Sequence, residues 1–342
     1  MTAQVQPRKA CHLSLPHEVG FHCSSTAIRA CLRHDGHDLS EPMVFGLAAG
    51  LGFSYFCVNG FSPSRLLGCR ALDVERKFYR RMEAPLEYVG RFDPEAMLTA
   101  LQAGRPLLAR TNLMHLPYYE PAFFPGHALV ITGLDLEANQ VMVADVISPQ
   151  EQVISFEVLE RAMGEASPPG MDAYDWAPAP LVQQPLVTPH RLAGAIKEAM
   201  LEMMEPPFPG MGLEAMDHLS RDFPNWAKIS DWVWCARFAY QCIEKRGTGG
   251  AGFRAAYADF LEEAQQVIPE LATLEAAQRC RAIAQGWHDL ASCLKEIFVM
   301  ENPGGFQQAA GLMEAITHDE RALCHALHDL ATRLVDAPQF LS

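Results

Sequence analysis

A cysteine in the first turn of a helix can attack a carbonyl, and Cys23 is placed to be one. It precedes Ala27, Ile28, Cys31 and Leu32, apolar residues at helical spacing, which predict a helix from Cys23 to Arg33. Unpaired N–H groups and the helix dipole stabilise an anion at such a start. The thiolate is the attacking form of cysteine, and a helix N-terminus favours it. A thiolate nucleophile needs a base, and the base needs a group that orients it. His127 opens the run His127–Thr132, and Asp145 follows Val141–Ala144. Both runs are rich in Val and Ile and read as successive strands. The competing reading is structural. The chain has 10 cysteines, and most cysteines are small core hydrophobes. Position favours the chemical reading for Cys23.

The elements that must carry these residues fall into two kinds. Ser40-Glu41-Pro42 reads as a helix start with Ser40 as cap. Gly46, Gly50 and Gly52 then allow a close backbone approach or a bend into a strand. Neither Gly-x-Gly-x-x-Gly nor a Walker pattern is present, so a phosphate-cradling loop has no support. Asp93 caps a short helix with Pro94 at its first position. Pro106–Arg110, His127–Thr132, Gln140–Val146 and Gln152–Phe156 are short apolar or alternating runs, hence strands. Helices followed by a mostly antiparallel sheet make an α+β pattern. The proline-rich stretch from Ser167 to Pro189 reads as a linker or wrapping segment. Beyond it, Arg191–Met204, Leu213–Asp222, Asp231–Arg246, Phe253–Val267, Leu274–Phe298 and Gln307–Leu334 all show helical spacing. The expected division is therefore a catalytic domain over 1–180 and an all-α domain over 181–342.

At 342 residues the chain can bury two cores. Its net charge of −14 argues against binding nucleic acid or an anionic membrane. No stretch approaches the roughly 18 apolar residues of a membrane span. The first residues have no signal-like apolar run, so a cytoplasmic protein with reduced thiols is expected. Arg76, Lys77, Arg80 and Arg81 form a basic cluster, read as a solvated helix face or a docking patch. His318, His325 and His328 share the last helix with Cys324 and Asp319, but one helix supplies too few ligands for a metal. His12, His34, His37 and His115 read as surface or packing residues, and Trp226, Trp232, Trp234 and Trp287 as the helical core.

His22-Cys23, Glu41…Phe45-Gly46-Leu47, Gly50-Leu51-Gly52-Phe53, Leu116-Pro117-Tyr118-Tyr119, His127 and Gly133-x-Asp135 together give the chain a resemblance to the butirosin-biosynthesis acyltransferase family. The resemblance continues with Arg246-Gly247, Gly249-Gly250-x-x-Phe253-Arg254, Tyr257 and Phe260-Leu261-x-Glu263-Ala264. The family is papain-like in fold. The resemblance implies acyl transfer from an acyl-carrier-protein thioester to an amine acceptor in antibiotic biosynthesis. By position, Cys23 is the nucleophile, His127 the base and Asp145 the orienting residue. Where papain-like enzymes carry an oxyanion glutamine, this chain has His17. His17 or the backbone N–H groups, that of Cys23 among them, are then the expected oxyanion donors. Tyr118, Tyr119 and Phe53 are expected at the substrate, with loop packing as the competing role for the tyrosines. The expected partners are an acyl carrier protein and a small-molecule amine, with a homodimer compatible. No cofactor is expected beyond the acyl-phosphopantetheine donor. The alternatives are a cysteine hydrolase (peptidase, amidase or thioesterase) using the same residues, and a protein that keeps the fold and only binds. In the last case the Cys23 side chain would point away from His127.

Overall fold

The computed structural model describes residues 9–120, 124–165, 172–247 and 249–336. Pro168 and Pro169 with their neighbours from 166 to 171 in the expected linker, and Thr248 in the expected Gly-rich break, lie outside them. The described chain is mixed α+β, with an antiparallel sheet and a helical C-terminal part. It forms two compact units. Unit 1 is Met1–Val44 with Glu75–Gln184, and unit 2 is Phe45–Val74 with Pro185–Ser342. The division differs from the expected one at 180, because residues 45–74 belong to the helical unit.

Unit 1 is built on a six-stranded sheet. Its strands are β1 (Ala10–His12), β4 (Leu107–Asn112), β5 (Pro125–Asp135), β6 (Gln140–Ala144), β7 (Gln152–Ile154) and β8 (Trp176–Pro178). The order is β7-β6-β5-β4-β8, with β1 also on β5, and every pairing is antiparallel. Alternate residues share a face. Leu107 and Ala109, Leu129 and Ile131, and Val141 and Val143 accordingly enter one core. Met97 and Leu101 of α4 (Pro94–Gln102) and Leu159 and Met163 of α5 (Phe156–Met163) close it. Helix α1 (Cys23–His34) packs along β5. The proline-rich segment contributes β8, a three-residue strand at the sheet's edge. Proline is tolerated there because one side of an edge strand needs no ladder donors.

Unit 2 begins at the C-terminal half of α2 (Glu41–Leu47) and continues into the hairpin β2 (Leu51–Cys57) and β3 (Arg65–Arg70). The chain re-enters unit 1 through α3 (Val74–Arg81). Helices α6 (Pro189–Met204), α7 (Gly212–Trp226), α8 (Trp232–Glu244), α9 (Arg254–Ala264), α10 (Glu270–Thr273), α11 (Ala276–Val299) and α12 (Phe306–Val335) make up the rest. Aromatic contacts explain why the hairpin joins them. Phe45 stacks on Phe253 at 5.1 Å, Phe53 meets Trp287 at 5.7 Å, and Tyr55 meets Trp226 at 6.3 Å. Trp226 and Trp287 are buried as expected, whereas Trp232 and Trp234 are half-buried. Helix α7 outruns its expected end and includes Pro224 in its last turn.

Candidate active site

Three stretches far apart in sequence meet at one end of the unit 1 sheet. Because β5 and β6 are antiparallel with Val130 opposite Ala144, His127 near the start of β5 lies close to Asp145 just past β6. The β4–β5 register shifts here: Thr111 faces His127 while Asn112 faces Pro125. Gly126, at φ +82°, is the residue left over. Such a bulge re-aims the adjoining side chain. His127 Nε2 lies 2.9 Å from both carboxylate oxygens of Asp145. Cys23, at the start of α1, interacts with the same imidazole and favours its charged form. All three side chains are buried.

The electrostatics favour a charged imidazole. Burial opposes that charge, but the Asp145 carboxylate and Cys23 outweigh it and raise His127 from its ordinary 6.5 to about 10. Burial likewise opposes the Asp145 anion, yet His127, Tyr118 and Tyr119 hold its carboxyl below the usual range. The tyrosines do this directly. Tyr118 donates to Oδ2 at 2.8 Å and Tyr119 to Oδ1 at 2.9 Å. Both hydroxyls are thus engaged by the carboxylate. Burial and the neighbouring charge keep both phenols well above their ordinary range, so they remain donors.

His17 also reaches Asp145, but at the backbone. Its Nε2 donates to the Asp145 carbonyl at 2.8 Å. Its Nδ1 is buried without a hydrogen-bond partner among the described residues. A carbonyl only accepts, so the neutral ring carries its proton on Nε2 and leaves Nδ1 an acceptor. His17 can therefore donate to an oxyanion from Nδ1 only as the imidazolium. Phe53 lies in unit 2, is 1 % exposed, and packs on Trp287.

Sequence reasoning missed the residues that hold α1. His22 caps the helix, and its Nδ1 accepts from the N–H of Ser25 at 3.4 Å. Ser24 donates to Glu75 at 3.0 Å, and Arg110 donates to the same buried carboxylate at 3.0 Å. Burial works against the Glu75 anion, yet Arg110 above all brings it down to about 2. Glu41 accepts from several groups between Phe21 and Thr26. The one available signal was Glu41 itself, an acidic residue at a helix start that shares its segment with Ser25 and Thr26. The basic cluster of α3 is not one solvated face: Lys77 is buried and Arg76 lies 4.7 Å over the Tyr88 ring. His12, His34, His37 and His115 each bond Glu151, Gly104, Val182 and Glu165 respectively. Among the described residues no group of three or more His, Cys, Asp or Glu side chains is arranged to hold a metal ion. Nor is any helix among them long and apolar enough to cross a membrane.

Residues 22–146 match the family described as Butirosin biosynthesis protein H, N-terminal, and residues 157–327 match a domain of unknown function, DUF4872. No curated protein matches the chain. The chain belongs to the family described as DUF4872, whose model matches half of it, and its N-terminal part is similar to the N-terminal domain of butirosin biosynthesis protein H.

Proposed function

We propose that this chain is a cysteine-dependent acyltransferase of antibiotic or related specialised-metabolite biosynthesis, with a papain-like arrangement of Cys23, His127 and Asp145. It takes an acyl group from an acyl-carrier-protein thioester and passes it to an amine. The observation that carries the reading is the buried imidazole of His127, held by the Asp145 carboxylate at 2.9 Å and kept charged by Asp145 and Cys23 together. The similarity of residues 22–146 to the N-terminal domain of butirosin biosynthesis protein H supports the same class of chemistry.

In the first half-reaction the Cys23 thiolate attacks the thioester carbonyl, and a Sγ–C bond forms. The C–S bond to the carrier then breaks, and the carrier's thiolate leaves with the proton from His127. Thioester exchange is nearly neutral in energy. In the second half-reaction an amine attacks the acyl-enzyme while His127 takes its proton. The C–N bond forms, the Sγ–C bond breaks, and the thiolate–imidazolium pair is restored. Asp145, fixed by Tyr118 and Tyr119, keeps the imidazole aimed at sulfur. The oxyanion is met at the start of α1, where helical N–H groups gather.

Intact-mass measurement tests this. Incubation with acyl-loaded carrier protein should add one acyl mass to the wild type and none to Cys23→Ala. An unmodified wild type, with carrier and small thioesters alike, would sink the acyl-enzyme. Release of free acid at the same rate with and without amines would instead assign hydrolysis.

A further inference from the structure

Glu41 is nearly buried, at 5 % exposure, and heads α2. Its carboxylate accepts from the backbone N–H of Phe21 at 3.2 and 3.0 Å and of His22 at 3.0 Å. It also accepts from the hydroxyls of Ser25 at 2.8 Å and Thr26 at 2.9 Å. Two successive backbone N–H groups converging on one anion make a nest. The fit is tight. A Cβ on Gly20 would stand 2.0 Å from Thr26 Oγ1 and 2.4 Å from Glu41 Oε2.

These contacts surround one peptide plane, that joining His22 to Cys23. Its carbonyl accepts from the Thr26 N–H at 2.9 Å, and the Thr26 hydroxyl in turn donates to Glu41 at 2.9 Å. His22, at φ −139° and ψ 128°, is held from its other side by its own N–H on Glu41. The N–H of Cys23 belongs to this plane. The neighbouring donors are employed: Phe21 and His22 on Glu41, and Gly20 on the Val146 carbonyl at 3.3 Å. The direction of the Cys23 N–H is therefore set by the direction of that plane.

We infer that Glu41 is a positioning residue for acyl transfer, fixing the His22–Cys23 peptide so that the Cys23 N–H meets the oxyanion. It touches neither sulfur nor imidazole in any bond given above. This rests on the acyl-enzyme reading, and it separates two reactions of one thiol. Alkylation by iodoacetamide displaces iodide at a saturated carbon and forms no oxyanion. Acylation by a thioester does form one.

The experiment compares the full-length wild type with Glu41→Gln and Glu41→Ala, using an acyl N-acetylcysteamine thioester and, separately, iodoacetamide. Glutamine keeps one acceptor oxygen and turns an amide donor toward the Phe21 N–H, so it tests position with little loss of packing. A displacement of about 1 Å, or a lost oxyanion donor, lowers turnover by about 10²-fold. Acylation is expected to fall about 10-fold in Glu41→Gln and about 10²-fold in Glu41→Ala, with alkylation within about threefold of wild type. Should Glu41→Ala fail to fold, Glu41→Gln alone decides. Equal losses of acylation and alkylation, or acylation unchanged, would overturn the inference. A wild type that alkylates but never acylates would remove the acyl-enzyme itself, and the inference with it.

Discussion

Asp145 accepts more hydrogen bonds than the orientation of one histidine requires. His127, Tyr118 and Tyr119 all donate to its carboxylate, so an anion in a buried place is satisfied on every side. Hydrogen bonds to charged groups contribute about 1.5–3 kcal/mol each. Tyr118→Phe is expected to lower stability by about that amount, about 1.5–3 kcal/mol in chemical denaturation, with Tyr119→Phe similar. A loss near zero for both would show that solvent replaces the hydroxyls. The histidine gives a second expectation. Its value is raised in the folded chain to about 10, against about 6.5 unfolded. A group raised by folding contributes stability in full below its unfolded value and loses it as pH rises through the folded one. The wild type should therefore lose stability from roughly pH 6.5 to pH 10. His127→Gln, which has no such charge to lose, should show a flatter profile over that range. Parallel slopes in the two proteins would assign the loss to another group.

Elements decide whether those residues meet, and the start of α1 is the most constrained of them. Gly20→Ala places a methyl group against Thr26 Oγ1 and Glu41 Oε2, closer than any real contact allows. The Thr26 and Glu41 side chains must give way, which breaks the hold on the start of α1, and the expected outcome is about 10²-fold slower acylation of Cys23, read by intact mass. A variant that acylates at the wild-type rate would mean the turn relaxes freely. Much of this element was legible in the chain. The apolar spacing after Cys23, the Asp93 cap that accepts from the Ala96 N–H, and the Val-rich runs of β5 and β6 are local signals. Local signals survive because helix and strand periods are set by near neighbours. The partners of the site were not legible for the converse reason. Ser24 meets Glu75, Glu75 meets Arg110, and the tyrosines meet Asp145 only after the chain has folded back. Aromatic residues just before His127 looked like pocket walls, since nothing in their spacing marks them as donors to a distant carboxylate. Residues 45–74 misled for a related reason. Their glycines and aromatics read as a continuation of the catalytic domain, while the rings that bury them lie more than a hundred residues on, at Phe253 and Trp287.

At the scale of the molecule, the two matched family segments and the two compact units are cut differently. The segment 22–146 runs through the hairpin that belongs to unit 2. The chain passes between units along α2 and α3, and each of these helices carries an acid that holds the start of α1: Glu41 on one, Glu75 on the other. Within unit 2 the hairpin is secured by a buried ion pair. Arg254 donates to Glu320 at 2.6 and 2.9 Å, and to the carbonyls of Gly52 at 3.0 Å and Cys69 at 3.3 Å. Trp287 Nε1 donates to the same carboxylate at 2.7 Å, with the guanidinium 4.9 Å over its ring. Removing one member of such a pair leaves a buried charge without its counter-charge and costs about 3–5 kcal/mol. Arg254→Met and Glu320→Met are each expected to lose about that much, and the double variant clearly less than the sum, because the second change removes the charge that the first left unpaired. A double-mutant cycle by chemical denaturation measures the difference. Strict additivity would mean that the two side chains stabilise the unit separately, through their backbone and Trp287 contacts, and that their mutual attraction contributes little to seating the hairpin on the helices.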